Sequence, residues 1–213
     1  MTRKAVIFDL DGTLFDTLED LADASNAALA TLGHPPHPLA SYRHFVGNGM
    51  RKLMVRALPE GAAADLDRAV AAMNEIYATN WKAKSRPYQG IPELLDALAG
   101  EGVALAVLSN KPDAFTRLII EDVFRAWPWA AVIGDGQYPR KPDPAGALAI
   151  ARTVGLDPSA MVLVGDTPMD VKCARDAGMR PVAVTWGFRP RAELEAAGAD
   201  RFIDTPLELL GLL

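Results

Sequence analysis

The stretch that decides the fold is Ala5-Val6-Ile7-Phe8-Asp9-Leu10-Asp11-Gly12-Thr13. An apolar run that breaks abruptly into a polar, glycine-containing turn reads as a strand buried on both faces of a parallel sheet. Four later segments repeat the pattern. Val103 to Leu108 ends at Ser109-Asn110, Ala130 to Ile133 at Gly134-Asp135-Gly136, Met161 to Val164 at Gly165-Asp166, and Pro181 to Trp186 at Gly187. Helical patterns lie between most of them. Pro92 is placed to open a helix running to about Ala99, with Gly100 as its stop, and Pro112 opens another. Ala145 to Val154 ends at Gly155, and Val171 to Ala177 at Gly178. Strands alternating with helices predict an α/β fold with a doubly wound parallel sheet. Right-handed crossovers then gather the polar strand ends along one edge.

Residues 15–87 break that alternation. Leu18, Leu21, Ser25, Leu29 and Leu32 recur at helical spacing, as do Leu66, Val70, Met73 and Tyr77. Thr17 is placed to cap the first of these helices, with Asp20 as its capping-box partner. His34-Pro35-Pro36-His37-Pro38 forms a stiff turn between helices. No strand-like run occurs, so the expectation is an all-helical insertion hinged at Leu14 to Asp16 and Ser85 to Pro87. Two units follow: a core made of residues 1–14 and 88–213, and a helical unit of residues 15–87.

The composition narrows the function classes. At 213 residues the chain makes one to two domains at roughly 150 residues each. It is 50% hydrophobic and carries a net charge of −5, which supports a packed core and argues against a protein held on nucleic-acid phosphates. Cys173 is the single cysteine, so no intrachain disulfide and no multi-cysteine metal site can form, as suits a reducing compartment. No apolar run approaches the ~18 residues of a membrane span. Thr2-Arg3-Lys4 leads straight into a run interrupted by Asp9 and Asp11 with no small-residue cleavage site, unlike a signal peptide. The expectation is a cytoplasmic protein, monomeric or homodimeric, that binds neither membrane nor nucleic acid.

Ligands of open α/β sheets bind outside the carboxyl ends of the strands. Collected there are Asp9 and Asp11, then Ser109 and Asn110, then Lys141 before a helix, then Asp166 with Asp170 four residues on. Four carboxylates in one pocket repel one another unless a cation compensates. Mg²⁺ prefers such oxygens and keeps waters that a substrate phosphate can replace. A carboxylate beside Mg²⁺ and a lysine is suited to attack phosphorus as a covalent nucleophile. Asp9, at the strand end, fits that role in its ionised form, and Asp11, two residues on, fits the protonated acid that serves the leaving alcohol. Mg²⁺, Lys141 and backbone N–H groups near Gly12 would stabilise the charge on the phosphoryl group.

Four motifs in order, Asp9-Leu10-Asp11-Gly12-Thr13-Leu14, Ser109-Asn110-Lys111, Lys141-Pro142 and Gly165-Asp166-Thr167-Pro168-Met169-Asp170, resemble those of the haloacid-dehalogenase-like superfamily of phosphatases across the whole chain. The resemblance implies a Rossmann-like core with a helical cap inserted after the first motif. It implies Asp9 as nucleophile and metal ligand, Asp11 as acid/base whose carbonyl also ligates Mg²⁺, and Asp166 and Asp170 as further metal-side carboxylates. Gly12, Thr13, Ser109, Asn110 and Lys141 become phosphate-binding positions. The presence of Asp11 favours phosphate-ester hydrolysis over the dehalogenase and phosphonate-hydrolase chemistries of relatives. Phe45-Val46-Gly47-Asn48-Gly49, Arg86-Pro87-Tyr88-Gln89-Gly90-Ile91-Pro92, Asn110-Lys111-Pro112 and Thr185-Trp186-Gly187 are similar to the phosphoglycolate phosphatases, which implies 2-phosphoglycolate, a small phosphorylated metabolite, as substrate. The alternatives are a sugar-phosphate mutase or pyrophosphatase of the same superfamily, or a non-catalytic binding module with this fold.

Other conspicuous residues carry ordinary roles. His34, His37 and His44 lack metal-ligand spacing, Cys173 reads as a core residue, and Trp127 and Trp129 read as packing. Arg43, Arg51 and Arg86 are candidates for a substrate carboxylate, against a solvent role for each. Gly47 and Gly49 suggest a loop that brings N–H groups to an anion, or a helix-capping turn.

Overall fold

A computed structural model describes residues 4–213, so the first three positions of the expected core lie outside the described residues. The strands are β1 (Ala5–Phe8), β2 (Phe15–Asp16), β3 (Arg86–Pro87), β4 (Ala104–Pro112), β5 (Trp129–Asp135), β6 (Met161–Gly165), β7 (Arg180–Val184) and β8 (Phe202–Ile203). The helices are α1 (Leu18–Thr31), α2 (Leu39–Phe45), α3 (Met50–Ala57), α4 (Leu66–Asn80), α5 (Ile91–Gly100), α6 (Asp113–Val123), α7 (Ala145–Val154), α8 (Pro168–Asp176) and α9 (Arg191–Ala196). Six strands form one sheet in the order β5-β4-β1-β6-β7-β8, and every neighbouring pair is parallel. The chain moves outward from β1 through β4 to β5, then returns to β6 on the other side of β1. That reversal is the switch point where such sheets open a crevice.

β1 is buried on both faces because each side of the pleat meets a helical layer. Val6 and Phe8 pack toward Leu94 and Leu98 of α5 and Ile119 of α6, while Ala5 and Ile7 pack toward Ile150 and Val154 of α7 and Ala174 of α8. Alternation with period two divides the strand between the layers. Each large side chain so buried contributes roughly 1.5–3 kcal/mol, so a charge at Ile7 would unseat the central strand.

Helices α1 to α4 all lie between β2 and β3, which pair antiparallel through Phe15↔Pro87 and Asp16↔Arg86. Leu21, Leu29, Met54 and Met73 of these helices share one hydrophobic cluster with Phe8 and Phe124 of the sheet layer. Phe15 bridges the two parts, edge-on to Phe124 at 5.8 Å between ring centroids. No helix among the described residues is long and apolar enough to cross a membrane.

Several expectations need correction. The segments at Leu14 to Asp16 and Ser85 to Pro87 contain short strands, because two chain passages side by side pair their backbones even without β-rich sequence. Thr17 precedes α1 but makes no side-chain cap; its hydroxyl donates to Asp11 at 2.8 Å. Asp20 is no capping-box partner either, since it accepts from the Lys84 and Ser85 N–H groups and the Ser85 hydroxyl. β4 runs on through Ser109, Asn110 and Lys111, so these polar residues belong to the strand rather than to a turn after it. β7 stops at Val184, short of Trp186, and α8 begins at Pro168, ahead of Val171. Helices α2, α3 and α9 and strand β8 are too short to carry a readable period.

Candidate active site

The end of β1 delivers Asp9, whose Oδ1 accepts from the Leu10 N–H at 2.7 Å and lies 2.8 Å from Lys141 Nζ. The same ammonium donates to Asp170 Oδ1 at 2.7 Å and to the Leu108 carbonyl at 2.6 Å, so its three protons are used. Lys141 precedes a helix by several residues and has no secondary structure of its own to hold it. Asn110 supplies the hold: its carbonyl oxygen accepts from the Lys141 N–H at 2.8 Å and its amide donates to the Lys141 carbonyl at 3.0 Å. Asp170 sits in the first turn of α8 and works at both ends. Oδ2 accepts from the Thr167 N–H and hydroxyl, a helix cap, while Oδ1 faces Lys141.

Asp166 follows β6 and is fully buried. Its Oδ2 accepts from the Phe188 N–H at 2.7 Å, and its Oδ1 from the Thr13 hydroxyl at 3.3 Å. Gly12 and Gly187 flank it so closely that a Cβ at either would collide with its side chain. One carboxylate oxygen each from Asp9, Asp166 and Asp170 lies within 4.8 Å of the others. Burial, opposed by Lys141 and reinforced by Asp170, pushes Asp9 up to about 7. Burial, with Asp9 and Asp170 beside it, holds Asp166 well above the usual carboxylate range. Burial pulls the Lys141 ammonium down, but Asp170 and Asp9 outweigh it and raise it overall. Three buried carboxylates against one ammonium leave surplus negative charge in an all-oxygen donor set, which suits a hard divalent cation.

Asp11 belongs to a separate pair. Lys111 Nζ lies 2.9 and 3.1 Å from its two oxygens, with the Thr17 hydroxyl as a further donor. The Lys111 side chain is 1% exposed and lies over the Tyr77 ring of α4 at 4.6 Å. The two carboxylates of the first motif therefore sit in different surroundings: Asp9 bears the burial penalty beside Asp170, and Asp11 is paired with Lys111. Sequence reasoning placed Lys111 in a motif without a role, although its position directly after Ser109-Asn110 was the available signal. It marks Gly187 only as a strand end and in Thr185-Trp186-Gly187, without its place beside Asp166, and it misses the Phe188 N–H, which no local pattern marks.

The other expected residues divide. Ser109 lines the cavity beside Asp9 and accepts from the Lys111 N–H. Gly12 and Thr13, expected to bind phosphate, turn their donors inward: the Gly12 N–H to the Phe15 carbonyl and the Thr13 hydroxyl to Asp166. Asn110, expected on phosphate, spends its amide on Lys141 and on the Gly47 carbonyl of the loop after α2. Arg51 pairs with Asp67 at the surface and Arg86 bonds nearby carbonyls, while Arg43 reaches the Gly187 carbonyl; none of the three lines the cavity. The cavity holds only about 30 Å³ and is lined by Asp9, Asp11, Ser109, Asn110 and Lys111 of the core and by Leu21, Val46, Gly47, Gly49, Met50 and Leu53 of the inserted segment. That is well below the roughly 300 Å³ or more of an open ligand pocket, so the inserted segment lies close over Asp9 and Asp11.

The family profile described as haloacid dehalogenase-like hydrolase matches residues 6–184. The chain is 36% identical to a phosphoglycolate phosphatase of Pseudomonas putida over 97% of its own length and 78% of the relative's. It is 34% identical to an N-acetylmuramic acid 6-phosphate phosphatase of Pseudomonas aeruginosa, over 100% of its own length and 96% of the relative's. Among solved structures, a predicted phosphoglycolate phosphatase from Haemophilus somnus superposes with a TM-score of 0.88 at 28% identity, covering 100% of this chain and 98% of that one.

Proposed function

From the premise that this chain belongs to the haloacid dehalogenase-like hydrolases and is a phosphoric monoester hydrolase, we propose that it cleaves a small phosphomonoester, 2-phosphoglycolate, through an aspartyl-phosphate on Asp9. The observation that carries the reading is the buried set of Asp9, Asp166 and Asp170 around Lys141, closed off beside Asp11. Asp9, Asp166 and Asp170 would hold Mg²⁺, which would supply charge neutralisation at the phosphoryl group.

The chain's own groups do the rest. The Asp9 oxygen not engaged by Leu10 and Lys141 attacks phosphorus, and the bond to the leaving alcohol breaks as Asp11 gives that oxygen a proton. Lys111 and the Thr17 hydroxyl then stabilise the carboxylate that Asp11 has become. In the second half, Asp11 takes a proton from water as the water oxygen attacks the same phosphorus, releasing phosphate and regenerating Asp9. Lys141 and the Ser109 hydroxyl steady the transferring group. Residues 15–87 act as a cap: a cavity of about 30 Å³ excludes bulk water from the acyl phosphate and must open for substrate and product.

A second substrate reading rests on the full-length likeness to the N-acetylmuramic acid 6-phosphate phosphatase, together with the apolar and glycine wall of Val46, Gly47, Gly49 and Met50. Phosphate release with Mg²⁺ from 2-phosphoglycolate, N-acetylmuramic acid 6-phosphate and an aryl phosphate decides between them. The expected result is fastest turnover of 2-phosphoglycolate and none by Asp9→Asn, whose circular dichroism stays unchanged. Turnover by Asp9→Asn would refute the nucleophile, and an isomerised sugar phosphate as product would mark a mutase.

A further inference from the structure

A second cavity, of about 160 Å³, shares Gly47 with the catalytic one. Its walls include Asn48 and Arg56 on one side and Thr167, Met169, Arg189 and Glu193 on the other. Two guanidinium groups converge there. Arg56 donates to the His44 and Phe45 carbonyls at 3.1 and 2.8 Å and to Asn48 Oδ1 at 2.7 Å. Arg189 donates to the same His44 carbonyl at 3.0 Å and to the Val46 carbonyl at 3.2 Å. One carbonyl oxygen therefore holds both cations together.

Their charge is not matched. The carboxylate of Glu193 lies 3.7 Å from Arg189, and among the described residues Arg56 has no ion pair. The Arg189 side chain is 12% exposed, yet its Nε is buried without a hydrogen-bond partner. Burial and the neighbouring Arg189 charge lower the Arg56 guanidinium below its ordinary value.

We propose that this cavity is an oxyanion site, in which a tetrahedral anion of the phosphate or sulfate type bridges Arg56 of the inserted helices and Arg189 of the core. Such an anion offsets two like charges that share one carbonyl, and guanidinium forks match its oxygens in pairs. At about 30 Å³ per water, the space accommodates one such ion with part of its hydration. No member of the Asp9, Asp166 and Asp170 set lines it, so the site stands apart from the catalytic reading. The occupant would fasten the loop Val46 to Gly49, which roofs the catalytic cavity, and so oppose opening of the cap. The anion is either free in solution or the second charged group of a substrate.

Sulfate, which this enzyme cannot hydrolyse, is the probe for the first source. Sulfate is titrated by calorimetry into protein stripped of divalent cations, with sulfate-dependent thermal shifts read in parallel. The expected result is one equivalent bound by wild type and by Ser109→Ala, with affinity at least tenfold weaker in Arg56→Gln and Arg189→Gln. Arg56 lies at the surface, so its variant folds even if that of Arg189 does not, and the increment with sulfate is read rather than the absolute melting temperature. KM values test the second source: a rise in both variants for a phosphorylated carboxylate but not for an aryl phosphate assigns the site to the substrate's far end. Unchanged sulfate binding in the variants, or no binding by wild type together with unchanged KM values, overturns the site. Neither outcome bears on phosphate release from Asp9, which is assayed separately.

Discussion

Asp166 illustrates how much one carboxylate depends on residues that have no chemistry of their own. It is fully buried and unpaired by any lysine, and it keeps its place through the Phe188 N–H, the Thr13 hydroxyl and the two glycines that leave it space. Gly12 is the sharper case because its φ of 88° also disfavours a side chain. Gly12→Ala adds a Cβ where the Asp166 carboxylate stands and left-handed strain of roughly 1–2 kcal/mol. The expected outcome is Mg²⁺ affinity and kcat/KM lower by about 10–100-fold, the range for displacing a ligand's support, with the fold retained. Calorimetric titration of Mg²⁺ checks it; unchanged affinity would mean that Asp166 does not hold the ion.

At the scale of elements, the first inserted helix is tied to the insertion's return segment by Asp20 of α1. This buried carboxylate accepts from the Lys84 and Ser85 N–H groups and from the Ser85 hydroxyl just before β3. A carboxylate satisfied by several donors is stable in the interior, and removing it leaves those donors bare. Asp20→Ala is expected to cost about 3 kcal/mol in urea unfolding, with Asp20→Asn recovering part of it. A change below about 0.5 kcal/mol, the ordinary size of a surface substitution, would contradict the role. Asp170 does comparable double duty in α8, where one oxygen caps the helix and the other faces Lys141.

For the molecule as a whole, the carboxylate cluster links folding to pH and to cation. Asp9 is raised from its ordinary 3.8 to about 7, so the folded state binds a proton more tightly than the unfolded chain does. Its ionisation therefore destabilises the cation-free protein progressively as pH rises from near 3.8 to about 7, and the loss is complete above that. Mg²⁺ binding only the folded state reverses the loss. At a hundredfold excess over Kd it contributes about 2.7 kcal/mol, or roughly 5–10 °C in Tm for a chain of this size. The gain is expected to be larger at pH 8 than at pH 6, where the proton competes with the ion. Thermal melts with and without Mg²⁺ at both pH values test this, and equal gains would show that Asp9 is not part of the ion's seat.

The sequence by itself determined five of the sheet's six strands and the order in which acidic and basic residues arrive at its edge. Apolar runs buried on both faces must be strands, so Ala5 to Phe8 and Met161 to Val164 were legible, and Asp9 and Asp166 with them. It also marked residues 15–87 as helical, because α1 and α4 are long enough to show a period. Tertiary structure alone decided what each polar group does. That Thr17 bonds Asp11 rather than capping α1, that Asn110 spends its amide on Lys141 and Gly47, and that Lys111 pairs with Asp11 depend on chain segments distant in sequence. Local pattern reports which face of an element is buried, because burial follows the period of the backbone. It does not report which donor meets which acceptor, because that pairing is settled only when the packed elements leave a buried group one partner within reach.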